Sequence, residues 1–122
     1  FFSDADKCFF SFSFLTSLTH DDPNALQHLD SWLAAKLRFL ADGDALSNTA
    51  LLIMGDHGQR VHFMQASFAG RIEERAPLFS LFLPTGFRRS FPAAFHNLVD
   101  NEFRLTSNID IRETLLDLLD ER

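Results

Sequence analysis

The sequence predicts an α/β fold with a mostly parallel sheet flanked by helices, present as an incomplete domain. Three observations predict it. Ala50 to Met54 is an apolar run without alternation, the pattern of a strand covered on both faces. Leu26, Leu29, Leu33, Leu37 and Leu40 recur at three- and four-residue spacing, the pattern of a helix with one apolar face. Strand-like and helix-like segments then alternate along the chain, as they do where helices cover a parallel sheet.

The elements follow in order. In FFSFSFLTSL, residues 9–18, Phe10, Phe12 and Phe14 alternate with Ser11 and Ser13, which predicts a strand with one face in a core. It runs into Thr19, His20, Asp21 and Asp22. Asp22 and Pro23 supply an N-cap and a first-turn proline for the Leu-periodic helix, about 18 residues long and closed by Asp42 and Gly43. Asn48 and Thr49 lead into the apolar run at Ala50. APLFSLFLP, residues 76–84, is bounded by two prolines and predicts a third strand. FPAAFHNLVDN predicts a short helix begun near Pro92, and Asn108 or Asp110 is expected to cap a last helix with Ile111, Leu115 and Leu118 on its apolar face.

Composition narrows the functional classes. The 122 residues leave room for a single domain, residues 1–122, and 46% hydrophobic content is ordinary for a folded protein. The formal net charge of -6 and scattered Lys and Arg offer no basic track, so nucleic acid is excluded as a partner. No uninterrupted apolar run is long enough to span a bilayer. The lone Cys8 allows neither an internal disulfide nor a cysteine-based zinc site and reads as a small buried hydrophobe. The 15 Phe residues fall mostly in alternating or periodic apolar runs and are expected in the core. Phe1 in place of a starting Met, in an apolar opening without a basic leader, suggests a piece of a longer protein.

Chemistry is concentrated where the non-alternating run ends, in Gly55, Asp56, His57 and Gly58. In open α/β sheets ligands gather beyond the carboxyl ends of the strands. A carboxylate beside a neutral imidazole is a ligand pair for a divalent cation, and the flanking glycines allow close approach. The same four residues would also serve as a plain surface turn. His20 with Asp21 and Asp22 stands at the end of the first predicted strand, and His62 lies close enough to the D-H-G loop to line a pocket. Arg71 could pair with Glu74 on a solvated turn. Glu73, Glu74 and Arg75 read as a tether at the entrance to the third strand.

The segment LDSWLAAKLRFLADGDALSNTALLIMGDHG resembles the alkaline phosphatase-like superfamily, and within it the sulfatase-like members, in which a helix, a short turn, NTALLI and D-H-G follow in this order. THDDPNAL, GRIEERAPLFSLFLP and SNIDIRETLLDLL extend the resemblance over nearly the whole chain, to a largely animal branch of sulfatase-like proteins. The resemblance implies the C-terminal half of a sulfatase-like catalytic domain whose partner is the missing N-terminal half. It implies a metal-dependent hydrolase of sulfate or phosphate esters, inactive as an isolated piece, acting on an anionic ester substrate with zinc, manganese or calcium as cofactor. Asp56 and His57 fall on the metal-ligand pair. His20 falls on a histidine near the anionic group or the metal, in a catalytic role, and Arg71 falls near an anion-binding lysine as a substrate-binding residue; His62 has no matched partner there and joins the substrate-binding residues only through its closeness to the loop in sequence. A secretory or extracellular location is implied as well. The nucleophile and other acidic ligands are expected outside this chain, since Cys8 has none of the C-x-P-x-R surroundings of a sulfatase cysteine. Two alternatives carry the same pattern: a non-catalytic sulfatase-like ectodomain, and a phosphoglycerol or phosphoethanolamine transferase.

Overall fold

A computed structural model describes residues 8–18, 20, 22, 24–60 and 63–120. The first helix begins later than the expected Asp22 cap, with Leu26 before it and no side chain among the described residues capping it; the Asp22 carboxylate instead accepts from the Asn24 N–H at 2.8 Å. Helix α1 spans Gln27–Asp42. Its half-buried stripe, Leu29, Leu33, Leu37 and Leu40, follows the predicted spacing. Its end differs from expectation. Gly43 has φ -85°, and the left-handed residue is Asp44 at φ 61°. The Ala45 N–H reaches back to the Leu40 carbonyl at 3.2 Å, closing the wide loop of a Schellman motif. A short polar side chain makes Asp tolerable in that left-handed position.

Strand β1, Leu51–Met54, pairs with β2, Phe79–Phe82, in the register Leu51 to Phe82, Leu52 to Leu81, Ile53 to Ser80 and Met54 to Phe79. The pair is antiparallel. An unbroken apolar run marks burial on both faces but carries no information on strand direction, and 24 connecting residues are long enough for either sense. Between the strands come a single 3₁₀ turn at Phe63–Ala66 and helix α2, Phe68–Arg75. The Ser67 hydroxyl caps α2 by accepting from the Gly70 N–H at 3.0 Å. After β2 the chain forms α3, Thr85–Ser90, and α4, Pro92–Asn101, whose start at Pro92 matches the expected helix. Phe87 and Phe91, with ring centroids 4.9 Å apart, fill the corner between these two helices. Helix α5, Asn108–Asp120, closes the described chain.

The strand expected over residues 9–18 does not form: residues 8–16 have no regular secondary structure. Alternation sets which side chains share a face, but a strand also needs a neighbouring edge to bond with. The alternation still shows locally, since the rings of Phe12 and Phe14 stack 6.3 Å apart on one side of the chain. Cys8 is exposed, contrary to its expected burial.

The core sits at the end of β2, where Leu83 is 5% exposed. Elsewhere large apolar side chains face outward, among them Phe10, Phe12, Phe14, Trp32 and Phe39. The accessible surface is 10391 Å², whereas a compact 13.9 kDa chain exposes about 6,700 Å². Among the described residues no helix is long and apolar enough to cross a membrane.

Candidate metal-ligand loop

The D-H-G loop leaves the carboxyl end of β1 and is held from three sides. The Gly55 N–H donates to the Leu78 carbonyl at 2.9 Å, extending the ladder by one rung. The Gly58 N–H donates to the Glu74 carbonyl at 2.9 Å, at the end of α2. The side-chain amide of Asn108, in the first turn of α5, donates to the Asp56 carbonyl at 3.1 Å. Because the strands are antiparallel, the exit from β1 lies beside the entrance to β2, and α2 stands directly before that entrance.

Gly58 permits this closeness. A Cβ built there would lie 2.1 Å from the Glu73 carbonyl oxygen and 2.8 Å from the Glu74 Cα. The close approach expected of the glycines is therefore made by the backbone of α2. At Gly55 the contact is milder, 3.2 Å to the Pro77 Cβ.

Within the loop the two candidate ligands order each other. The Asp56 Oδ1 accepts from the His57 N–H at 2.9 Å. The His57 Nδ1 lies 2.7 Å from the Gly58 carbonyl oxygen, which can only accept, so Nδ1 carries a proton. In the neutral ring the lone pair then belongs to Nε2, which stands 3.5 Å from the Asp56 Oδ2. Two acceptors facing each other call for a proton or a cation between them. Two ligands bound at about 2.1 Å with a tetrahedral angle between them stand about 3.4 Å apart, so the separation fits a shared ion. Both side chains are reachable, Asp56 being 57% and His57 38% exposed. Among the described residues no group of three or more His, Cys, Asp or Glu gathers as a complete metal site.

His20 lies in the bend before α1, its N–H donating to the Thr16 carbonyl at 3.2 Å. Among the described residues, hydrogen bonds that hold the loop come from residues 74, 78 and 108. His62 lies outside the described residues. Arg71 is exposed on α2, lining an open hollow of about 460 Å³ with Phe68, Ile72, Arg75 and Leu105. Its expected partner, Glu74, instead faces Arg75 at 3.7 Å. Arg75 also donates to the Arg71 carbonyl at 2.9 Å, and the Glu74 carbonyl holds Gly58, so this trio tethers the approach to β2 as its sequence suggests.

Sequence reasoning missed Asn108 as a site residue. Asn108 or Asp110 was expected as the cap, and Asp110 performs that role with Ser107. The Asp110 Oδ2 accepts from both the N–H and the hydroxyl of Ser107 at 2.7 Å. These bonds to the ionised form hold the Asp110 carboxyl below its ordinary range. Asn108 is thereby left to reach across 52 residues to the loop. The S-x-x-D spacing was the available signal for the cap; nothing local signals the long reach.

A family model described as a protein of unknown function, DUF229, matches residues 3–121. No curated protein and no solved structure matches the chain.

Proposed function

The chain belongs to the DUF229 family, and from that premise we propose that it supplies the Asp56–His57 ligand pair of a divalent-metal centre in a sulfatase-like hydrolase of sulfate or phosphate esters. The observation that carries this reading is the 3.5 Å separation of the His57 Nε2 and the Asp56 Oδ2, with Nδ1 already committed to the Gly58 carbonyl. A neutral imidazole and a carboxylate suit zinc or manganese. A bound ion would polarise the ester oxygen and offset the charge that develops on the sulfuryl or phosphoryl group. The residues of the chain have separate tasks. Asp56 and His57 hold the ion, and the glycines on either side let the loop lie against α2 and β2.

Arg71 belongs to this reading as the anion-binding group. It sits one helical turn before Glu74, on the helix that props the loop, and a guanidinium can grip two ester oxygens at once. His20 is assigned to the leaving group on the resemblance, and His62 to the pocket wall on its closeness to the loop in sequence. Further ligands and the nucleophile come from outside the described residues, in an N-terminal half that completes the α/β sheet. The excess of accessible surface supports such a completing half, as does a β1 whose apolar residues remain half-exposed.

A second reading has the same observation behind it. A proton would fill the 3.5 Å gap as well, making an imidazolium–carboxylate pair in a non-catalytic ectodomain. Zinc titration of the metal-free full-length protein separates the two. The metal reading expects zinc to bind, and Asp56→Asn and His57→Ala each to lower the bound zinc while the far-UV spectrum is retained. Unchanged stoichiometry in both variants refutes it.

A further inference from the structure

We infer that Asn108 is a positioning residue for the two ligands, holding the peptide unit that joins Asp56 to His57. The inference rests on the reading of those residues as a metal-ligand pair. Asp56 and His57 are consecutive, so both side chains leave the backbone from the two ends of one peptide plane. The direction of that plane sets where the Asp56 carboxylate and the His57 ring can meet.

Both polar groups of the plane are engaged. Its N–H, on His57, donates to the Asp56 Oδ1 at 2.9 Å. Its carbonyl, on Asp56, accepts from the Asn108 Nδ2 at 3.1 Å. Only the NH₂ end of an amide can face a carbonyl, so the orientation of Asn108 is unambiguous. The first bond is internal to the pair and would turn with it. The second is anchored elsewhere, at the start of a 13-residue helix whose first turn is fixed by the Ser107–Asp110 box. Asn108 therefore gives the plane an external reference.

The local backbone bonds act on the neighbouring residues. Leu78 holds the N–H of Gly55 and Glu74 holds the N–H of Gly58. Neither touches the Asp56–His57 peptide itself. Without Asn108 that peptide can rotate between its two tethered neighbours, and rotation would part the Asp56 Oδ2 from the His57 Nε2.

The test uses the metal-free full-length protein with two readouts: zinc affinity, by competition with a chromogenic chelator, and amide hydrogen exchange at His57. Asn108→Ala and Asn108→Leu are expected to weaken zinc binding roughly tenfold or more, as loss of an outer partner of a metal ligand does. The far-UV spectrum should be unchanged, exchange at His57 should be several-fold faster, and Asn108→Gln should recover part of the affinity because it keeps the donor. Zinc affinity within twofold of the parent in both apolar variants, while His57→Ala has lost it, overturns the positioning role and leaves the metal reading standing. If the parent binds no zinc, the metal reading falls. The exchange arm then decides alone: faster exchange at His57 in Asn108→Ala upholds the clamp, and unchanged exchange overturns it.

Discussion

Replacing Gly58 by alanine tests whether the loop depends on contact with the backbone of α2. The new Cβ would lie 2.1 Å from the Glu73 carbonyl oxygen, 2.7 Å from the Glu73 carbonyl carbon and 2.8 Å from the Glu74 Cα. All three are backbone atoms, so no side chain can swing away. Reaching ordinary contact requires the loop to retreat by about 1 Å, which stretches the Gly58–Glu74 hydrogen bond beyond a useful length. Losing that bond costs about 1 kcal/mol, and the forced displacement adds about 1–3 kcal/mol, giving about 2–4 kcal/mol in all. Two further glycines calibrate the result. Gly55→Ala meets only the Pro77 Cβ at 3.2 Å and the His57 carbonyl oxygen at 3.6 Å, and is expected to cost less than about 1 kcal/mol. Gly86→Ala, on α3, meets nothing within 4 Å and should stabilise by about 0.5–1 kcal/mol through helix propensity. Urea unfolding of the full-length protein measures all three, and exchange of the Gly58 amide reports the local effect. A Gly58→Ala variant no less stable than Gly55→Ala would refute the close approach.

Two other perturbations follow from the helix ends. The Asp110 carboxyl is held below its usual value by Ser107, so the capping box contributes fully above the unfolded-state value and loses its contribution as pH falls through the lower folded value. The start of α5 should therefore fray only in acid, read from exchange of the Ser107 amide, and Asp110→Asn should abolish that pH dependence. At the end of α1, Asp44→Gly should hold stability or raise it by up to about 1 kcal/mol, because glycine accepts the left-handed backbone freely. Asp44→Val should lower it by about 1–2 kcal/mol in the same unfolding assay.

Local periodicity was the most legible part of the fold. The leucines of α1 and the face of Ile111, Leu115 and Leu118 fall half-buried where their spacing puts them, because a helical stripe is decided within one segment. Strand pairing is decided between segments, and there the reading was weaker. Leu51 to Met54 and Phe79 to Phe82 were recognised as strands, yet their antiparallel sense was not in the pattern. Phe10, Phe12 and Phe14 alternate as a strand would but have no ladder. Helices α2 and α3 escaped notice since they are short, and each contains a glycine and two or more charges. At the candidate site, the pairing of Asp56 with His57 was legible because the two residues adjoin. The Asn108 bond was not, because it spans 52 residues.

The same division between local and distant causes orders the candidate site. Among the described residues, the hydrogen bonds that tie Gly55, Asp56 and Gly58 to the rest of the chain come from Leu78, Glu74 and Asn108, so the geometry of the candidate pair is set largely by its near neighbours and the start of α5. The wall around that pair is another matter. The chain exposes about 3,700 Å² more than a compact chain of its mass. The outward-facing residues include Trp32 and Phe39 of α1 and Phe10, Phe12 and Phe14 ahead of it, the stretch that also carries His20. A completing half that covers those side chains would fix the position of His20 relative to His57. On the proposed hydrolase reading, Phe39→Ser, which makes an exposed apolar side chain of α1 polar, should then lower hydrolysis by the full-length protein through misplacement of His20 while leaving zinc affinity unchanged. Equal losses in both measurements would mean that the loop is not the locally determined unit its hydrogen bonds describe.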